Sequence, residues 1–268
     1  MMKLNEQVLR IEALELELTK LNASRSLTTV ERQLEVWNVG DCTLLRDKTD
    51  PQSMYYNRVK GFGPKSLSML DELIRQFGGQ WPSIDLLPGR LTESVAQALI
   101  LRGFIPVDQL VFMAVETAAQ VDPMIPGGVR IDTVTRENAE EWIEWIGRST
   151  GRPVTDKHVI DRAAPYFYRS DFVNYMLTID GQPAAMGSLF IRDQEGYIAN
   201  DYTFESFRGR GLQLALLRHR LKEANARGVE RVYTDVEFGS VSHNNMARAG
   251  FQTVFLNTFW IKANERRD

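Results

Sequence analysis

Hydrophobic and polar residues recur with two different periods in the second half of the chain. Alternation at every second position is typical of a strand with one buried face, and recurrence at about every 3.6 positions is typical of an amphipathic helix. These periods predict strands at 129–134, 174–179, 184–192, 197–203 and 229–237, helices at 137–146, 156–168 and 212–226, a short helix within 239–251, and a final hairpin reaching 261. Asp180 and Gly181 mark the turn of a central hairpin, so this half is predicted to be α+β, with a mixed, mostly antiparallel sheet flanked by helices.

The first half shows the same two periods over shorter segments. They predict strands at 37–45, 84–87 and 110–115 and helices at 67–77 and 93–101, which together make a small α/β lobe. A Pro- and Gly-rich stretch at 122–128 favours a linker or a sharp turn, and it divides the chain into an N-terminal lobe at 1–125 and a second domain at 126–268. Residues 1–20 place apolar side chains at helical spacing among glutamates, which predicts an amphipathic helix that docks on the rest of the protein or forms an oligomer contact.

Composition narrows the class of protein. With 268 residues, 43% of them hydrophobic and 25% charged, the chain is long enough for two modest domains with buried cores. A formal net charge of −3 gives no general attraction to nucleic acid or to an anionic membrane. We expect no bilayer-spanning run and no signal peptide. The single cysteine, Cys42, is expected to be structural; it excludes an intrachain disulfide and a multi-cysteine metal site, which favours a cytoplasmic location.

One motif stands between the strand 197–203 and the helix 212–226: Arg208-Gly209-Arg210-Gly211-Leu212. The first turn of a helix has backbone N–H groups without intrahelical partners, and the helix dipole favours anions there. Glycines remove the Cβ atoms that would obstruct a phosphate, and the arginines add positive charge. The motif therefore predicts a pyrophosphate-binding turn, although glycines that only supply positive φ to a basic loop would look the same. It is neither a P-loop nor a dinucleotide-binding fingerprint.

A second motif follows the strand 229–237. Residues Ser242 to Phe251 read S-x-x-N-x-x-R-A-G-F, with Asn245 in a predicted short helix. The order of strand, R-G-x-G turn, helix, strand and Asn-containing helix resembles the GNAT (Gcn5-related N-acetyltransferase) superfamily, over about residues 129–263. The resemblance implies a GNAT fold for this half of the chain.

The resemblance also implies acetyl-CoA as co-substrate. No metal is expected, because His158, His219 and His243 do not form metal-ligand spacing. The resemblance assigns the pyrophosphate to the R-G-x-G turn, the pantetheine to the strand before it, and the other flank of the cofactor to the later helix. Gln213 departs from the small residue usual in the family, so it would either crowd the turn or donate a hydrogen bond. The implied cofactor-binding residues are Tyr202, Thr203, Arg208, Gly209, Arg210, Gly211, Leu212, Gln213 and Asn245.

The first half contains weaker echoes of the same family. Asn57-Arg58-Val59 resembles a segment in the N-terminal lobes of some two-lobed GNAT proteins, and Arg102-Gly103-Phe104 echoes the R-A-G-F that ends the second motif. The nearest counterpart of the phosphate turn, 60–64, ends in Pro64, which lacks an amide donor. We therefore expect a degenerate GNAT-like lobe that has no active site of its own and walls the substrate cleft.

Acetyl transfer to an amine needs a neutral amine, a polarised thioester carbonyl and a proton for the departing thiolate. Strand alternation places Asp201 on one face with Tyr197, Ala199 and Thr203, and Asp201 is the first candidate for the general base. A structural, salt-bridged aspartate is the alternative. Weaker candidates are the acidic residues of the loop and of the next strand: Glu205, Asp235 and Glu237.

The later helix lacks the tyrosine with which many GNAT enzymes protonate the thiolate, so Ser242, Ser240 or water would serve. His243 is a further candidate, with a surface position as its alternative. The aromatic stretch 164–169 falls where GNAT enzymes commonly build the acceptor site. Trp142 and Trp145 are expected mainly in the core.

The resemblance implies an enzyme that transfers an acetyl group from acetyl-CoA to a primary amine of a small molecule. Two-lobed relatives include enzymes that acetylate amine-bearing antibiotics, so detoxification or self-resistance is one expected role. Acetylation of a protein or peptide amine is an alternative. A non-catalytic CoA-binding sensor is another, favoured by Gln213 and by the missing tyrosine. The sequence does not decide the oligomeric state.

Overall fold

The structure, a computed structural model, describes residues 4–119 and 127–263. Its helices are α1 (Leu4–Ser24), α2 (Leu70–Arg75), α3 (Glu93–Leu101), α4 (Ala139–Thr150), α5 (Lys157–Phe167), α6 (Leu212–Ala226) and α7 (Val241–Arg248). Its strands are β1 (Leu34–Val39), β2 (Cys42–Asp47), β3 (Arg58–Lys60), β4 (Ser83–Leu86), β5 (Phe104–Glu116), β6 (Val129–Thr133), β7 (Tyr168–Arg169), β8 (Phe172–Ile179), β9 (Gln182–Arg192), β10 (Glu195–Thr203), β11 (Arg231–Glu237) and β12 (Gln252–Lys262). No helix in the described part of the chain is both long and apolar enough to cross a membrane.

Packing divides the chain into two units. Unit 1 comprises Met1–Thr29 and Met113–Val254, and unit 2 comprises Val30–Phe112 and Phe255–Asp268. This grouping differs from the predicted segments 1–125 and 126–268, because α1 buries its apolar face in unit 1 and the end of β12 packs in unit 2. The boundary predicted at residue 126 and most of the predicted linker lie outside the described residues.

The sheet of unit 1 is mixed and mostly antiparallel, as the sequence predicts. Its strands lie in the order β5-β11-β10-β9-β8-β6, with β7 paired to β8. The pairs β6–β8, β8–β9 and β9–β10 are antiparallel, and the pair β10–β11 is parallel. The β8–β9 turn places Asp180 and Gly181 at φ 49° and 75°, the left-handed conformation that a tight hairpin requires.

Helices cover both faces of this sheet. Tyr175 of β8 contacts the ring of His219 on α6, with 5.3 Å between ring centroids. The neighbouring residue, Asn174, faces the opposite side because successive strand residues alternate. Phe172 shares that side, and the guanidinium of Arg25, directly after α1, lies 5.0 Å from its ring centre. Ile11 and Leu14 of α1 are buried. The N-terminal helix is therefore a docked helix of unit 1.

β10 contains a bulge that changes which residues share a face. Ala199 pairs with Ser188 and Tyr202 pairs with Met186, so three steps along β10 match two steps along β9. Asn200, inside the bulge, has φ 56°. The predicted alternation, which put Asp201 on the face of Tyr197 and Ala199, is therefore wrong, because the extra residue moves Asp201 to the face covered by α6.

Unit 2 repeats the order of elements found in unit 1. It has a hairpin (β1 and β2), a strand (β3), a helix (α2), a parallel strand (β4) and a second helix (α3), and its strands lie in the order β1-β2-β3-β4-β12. α3 is followed by Gly103 at φ 76°, and α7 is followed by Gly250 at φ 96°, so the echoing motifs at 102–104 and 248–251 end their helices in the same way.

Two predicted elements differ from the structure. The strand predicted at 37–45 is a hairpin, because Gly40 at φ 56° turns the chain between β1 and β2. The final hairpin predicted to reach 261 is one continuous strand, β12, since the segment 252–262 has no glycine or proline to reverse it. Cys42 and both Trp142 and Trp145 are buried, as expected, and burial raises the pKa of the Cys42 thiol.

Candidate functional site

The turn between β10 and α6 has the conformation that its glycines predict. Gly209 and Gly211 both have φ 75°, and Gly211 is the N-cap of α6. Because glycine has no side chain, the first-turn amides of α6 have no capping oxygen from this residue. A Cβ atom at either glycine would meet no heavy atom within 4 Å, so the turn is open. These are the requirements for a backbone phosphate site.

The two arginines of the turn are exposed and flank it. Arg208 Nε donates to the carbonyl of Thr203 at 3.2 Å, and its guanidinium lies 5.9 Å from the ring centre of Tyr202. The Arg210 guanidinium lies 5.2 Å from the ring centre of Phe207. Each side chain is held by its own loop and keeps its charge in solvent, where it can meet a phosphate.

β10 and β11 are in register only at their beginnings. Residues Glu195 to Tyr197 pair with Arg231 to Tyr233, and the register ends there. Within the described chain, the later part of β10 therefore has no strand partner on the β11 side. An unpaired edge of this kind can hydrogen-bond an extended, amide-bearing chain such as pantetheine. Tyr202 and Thr203 lie on this part of β10, directly before the phosphate turn.

Gln213 connects the first turn of α6 to α7. Its Nε2 donates to Ser242 Oγ at 3.1 Å, and its Oε1 accepts from Asn245 Nδ2 at 2.7 Å. Of the two expectations for Gln213, the hydrogen bond is the one observed. The structure thus brings three predicted site residues together at one edge of the turn.

His243 belongs to the local structure of α7. Its Nδ1 accepts from the backbone N–H of Gly239 at 3.1 Å. The backbone N–H of His243 donates to Oγ of Ser240, the N-cap of α7, at 3.0 Å. Its ring also lies beside Phe238, with 5.3 Å between ring centroids. These contacts give His243 a structural task at the start of the helix.

Asp201 forms an ion pair with Arg220 of α6. Arg220 is fully buried, 13% of the Asp201 side chain is exposed, and Arg220 Nη1 also donates to the carbonyl of Ser188 at 3.0 Å. Burial raises the pKa of the Asp201 carboxyl, while the charge and the hydrogen bond of Arg220 act in the opposite direction. The structure thus contains the salt bridge that was the alternative for Asp201, and a role as base stays a prediction.

The ion pair occupies space that a side chain at Gly187 would take. A Cβ atom there would lie 2.6 Å from Arg220 Nη1 and 3.0 Å from Asp201 Oδ1. We expect Gly187→Ala to destabilise the protein by about 2 kcal/mol, because the alanine displaces a buried charged pair. Urea denaturation measures the change.

Gly196→Ala is the matched control, on the neighbouring strand. Its Cβ atom would first meet methyl groups of Leu189 and Val232, at 3.1 and 3.2 Å, which can shift. We expect its cost to stay below about 1 kcal/mol. Equal losses for the two variants would show that the ion pair tolerates displacement.

The remaining acidic and aromatic candidates lie in different surroundings. Asp235 accepts a hydrogen bond from the Tyr197 hydroxyl at 2.5 Å. Phe167, from the aromatic stretch 164–169, is fully buried and packs near Trp142, whereas Tyr166 is half-buried. Among the described residues, no group of three His, Cys, Asp or Glu side chains is placed to hold a metal ion.

An open pocket of about 600 Å³ adjoins the loop that leads into the phosphate turn. It is lined by Arg148, Gln182, Pro183, Phe204, Glu205, Ser206 and Phe207. The Arg148 guanidinium lies 4.9 Å from the ring centre of Phe204. Sequence reasoning named only Glu205 of this set, because α4 and the β8–β9 turn approach the loop only in the folded chain.

The counterpart turn in unit 2 is closed. The backbone N–H of Gly63 donates to Ser66 Oγ at 3.0 Å, and Arg90 donates to the carbonyl of Gly61. A Cβ atom at Gly61 would lie 2.8 Å from the carbonyl oxygen of Asp41. Protein atoms thus fill the space that is open at Gly209 and Gly211, which is consistent with a degenerate lobe.

Solved structures share this fold across both units. A GCN5-related N-acetyltransferase from Kribbella flavida is 19% identical, with 93% of this chain and 95% of that chain covered and a TM-score of 0.67. A GCN5-related N-acetyltransferase from Sphaerobacter thermophilus is 16% identical (83% and 80% covered, TM-score 0.61). A tandem GNAT protein from the clavulanic acid biosynthesis pathway is 13% identical (93% and 94% covered, TM-score 0.60). The fold is therefore that of the two-lobed GNAT acetyltransferases.

The sequence comparison finds a family match within unit 1, which contains the open turn. The model of the acetyltransferase (GNAT) family matches residues 139–251, from α4 to the end of the second motif. Over these residues the chain is therefore similar to the GNAT family. No curated protein matches the chain.

Proposed function

We propose that the protein is an acetyl-CoA-dependent N-acetyltransferase that acts on a primary amine of a small molecule. The observation that carries the proposal is the open R-G-x-G turn at the start of α6, beside a strand edge that no other described strand pairs with on the β11 side. The open turn suits a phosphate, and the strand edge suits an extended chain that bears amides. The two lie in sequence along β10 and its turn, in the order in which pantetheine and pyrophosphate are joined.

The residues present fit acetyl-CoA. The amides after Gly211, with Arg208 and Arg210, would hold the pyrophosphate, and the edge of β10 at Tyr202 and Thr203 would hold the pantetheine. When bound, acetyl-CoA supplies an activated acyl group as a thioester. The part of the protein is to position the acceptor amine against that carbonyl and to manage two protons.

For the proton of the thiolate we propose Ser242. Its oxygen accepts from Gln213 Nε2, so its own hydrogen is available to donate. For the proton of the ammonium we keep Asp201 as a candidate base, because burial raises the pKa of its carboxyl and so favours uptake of a proton. Its ion pair with Arg220 opposes this role. The variants Asp201→Asn and Asp201→Asn/Arg220→Met distinguish a base from a structural partner of Arg220.

The pocket beside the turn supports a small-molecule acceptor. Its walls combine Phe204 and Phe207 with the charges of Arg148 and Glu205, which suits an amphipathic amine. The tandem GNAT protein that shares the fold comes from the clavulanic acid biosynthesis pathway, which supports testing amine-bearing antibiotics as acceptors. The single, buried cysteine supports a reducing, cytoplasmic location.

The proposal is tested by release of free CoA thiol with a panel of acceptors. The panel holds alkylamines, amino sugars, amine-bearing antibiotics and a lysine-containing peptide, each beside its N-acetylated form as a matched control. We expect turnover with at least one small primary amine and none with its acetylated form. Turnover with the peptide alone would replace the small-molecule acceptor by a protein. Binding of acetyl-CoA without turnover across the panel would identify a CoA-binding sensor.

A further inference from the structure

A chain of hydrogen bonds runs from the end of α1 to the bulge of β10. Arg25 Nη2 donates to Asn200 Oδ1 at 3.0 Å, and Asn200 Nδ2 donates to Ser188 Oγ at 2.9 Å. Ser188 Oγ in turn donates to Asn174 Oδ1 at 2.5 Å. We refer to Arg25, Asn200, Ser188 and Asn174 as the Arg25 network. All four lie in unit 1.

The Arg25 network has only one consistent direction. Arginine donates and never accepts, so the oxygen of the Asn200 amide must face Arg25 and its nitrogen must face Ser188. The far end is fixed as well, because Asn174 Nδ2 donates to the carbonyls of Phe167 at 2.8 Å and Phe172 at 3.1 Å. Ser188 and Asn174 are fully buried, so the inner end of the network is firmly held, whereas Asn200 and its bond to Arg25 lie at the surface.

Arg25 is itself held in place. Its Nε donates to Asn22 Oδ1 at 2.9 Å, and its guanidinium lies 5.0 Å from the ring centre of Phe172. The backbone just beyond it is fixed by Arg162, whose Nη2 donates to the carbonyls of Ser26 at 3.0 Å and Thr28 at 2.6 Å. The guanidinium is therefore a fixed donor to the bulge.

A fixed donor at the bulge affects the backbone conformation of β10. Asn200 has φ 56°, a left-handed conformation that asparagine adopts more readily than other non-glycine residues but that still depends on the contacts around it. The next residues, Asp201 and Tyr202, lie in the part of β10 that has no strand partner on the β11 side among the described residues. Their backbone groups are directed by the bulge, so their direction depends on the conformation of Asn200.

We propose that Arg25 is a positioning residue of the transferase reaction. It holds the bulge so that the backbone N–H groups at 200–202 keep one direction toward the reacting carbonyl, where preorganised donors lower the barrier. Arg25 lies outside the matched region 139–251, so the functional unit includes the N-terminal helix. The inference rests on the proposed function for the reaction, and on the Arg25 network for the bulge.

Hydrogen exchange tests the bulge without any substrate. We expect Arg25→Ala to speed exchange of the amides at 199–203 by about tenfold, the loss of one charged hydrogen bond. Arg10→Ala is the matched control, since Arg10 also joins α1 to β10, at Glu195 and 3.3 Å, but before the bulge. It should leave exchange at 199–203 unchanged. Equal exchange in wild type and Arg25→Ala would overturn the inference and leave the proposed function standing.

Steady-state kinetics test the role of Arg25 in the reaction. We expect Arg25→Ala to lower kcat about tenfold with KM for acetyl-CoA changed less than about twofold, and Arg10→Ala to leave both unchanged. Arg25→Lys, which keeps the charge but not the planar fork, should recover part of kcat, and it replaces the alanine variant if that fails to fold. A loss confined to KM would overturn the inference. A wild type that never uses acetyl-CoA would end the proposed function and, with it, the part assigned to Arg25 in the reaction, while exchange still reports on the bulge.

Discussion

Acetyl-CoA binding should be lost, by at least about a hundredfold in Kd, when Gly211 is replaced by tryptophan. Gly211 is the N-cap of α6, and a Cβ atom there enters open space that we assign to the pyrophosphate. An indole ring on that Cβ would fill the space and block the first-turn amides. Titration calorimetry of acetyl-CoA into wild type and variant measures the loss.

Gly228→Trp is the matched control at the other end of the same helix. Gly228 has φ 76° against 75° for Gly211, and a Cβ atom there also meets nothing within 4 Å. Both variants should therefore pay about 1–2 kcal/mol for a side chain in the left-handed region, which thermal denaturation measures. Only Gly211→Trp should lose the ligand. Equal loss in the two variants would show that helix stability, and not the turn, governs binding.

Arg220→Met is expected to destabilise the protein by about 3–5 kcal/mol, because it leaves the Asp201 carboxylate buried without its cation. The pair joins α6 to β10, and Arg220 also bonds the carbonyl of Ser188 on β9. Urea denaturation measures the loss. Asp201→Asn combined with Arg220→Met removes both charges and should regain much of that stability.

The same variants decide what Asp201 does. Asp201→Asn alone should lower the acetylation rate and leave the affinity for CoA nearly intact. If Asp201 serves only as the partner of Arg220, the rate should recover in the Asp201→Asn/Arg220→Met double variant, where no charge is left unpaired. If Asp201 is the base, the rate stays low in the double variant although its stability returns. An unchanged rate in Asp201→Asn at every pH would remove Asp201 from the reaction.

The elements best predicted from the sequence are those with chemical signals at their ends. The helices α3 and α6 have the predicted bounds, because Thr92 caps the first and a glycine turn opens the second. The hairpin at Asp180 and Gly181 follows from turn chemistry alone. Gly40 gave a similar signal between β1 and β2, but the residues on both sides of it alternate like one continuous strand, so the turn was missed.

The bulge of β10 was not predictable from alternation. Two-residue periodicity assumes a regular strand, and the only local hint is Asn200, one of the few non-glycine residues that tolerates positive φ. The partners of the site residues were equally hidden. Arg220 reaches Asp201 from 19 positions away, and Arg25 reaches Asn200 from 175 positions away, so only the folded chain joins them.

The division of the chain also governs the order in which the protein can fold during synthesis. Domains usually complete in turn as the ribosome releases them. Here unit 1 needs Met1–Thr29 together with residues up to Val254, and unit 2 needs the strand that ends at Lys262. Neither half of the chain, cut near its middle, contains a whole unit. The apolar face of the first helix therefore stays uncovered until the strands of unit 1 that it packs against have left the ribosome.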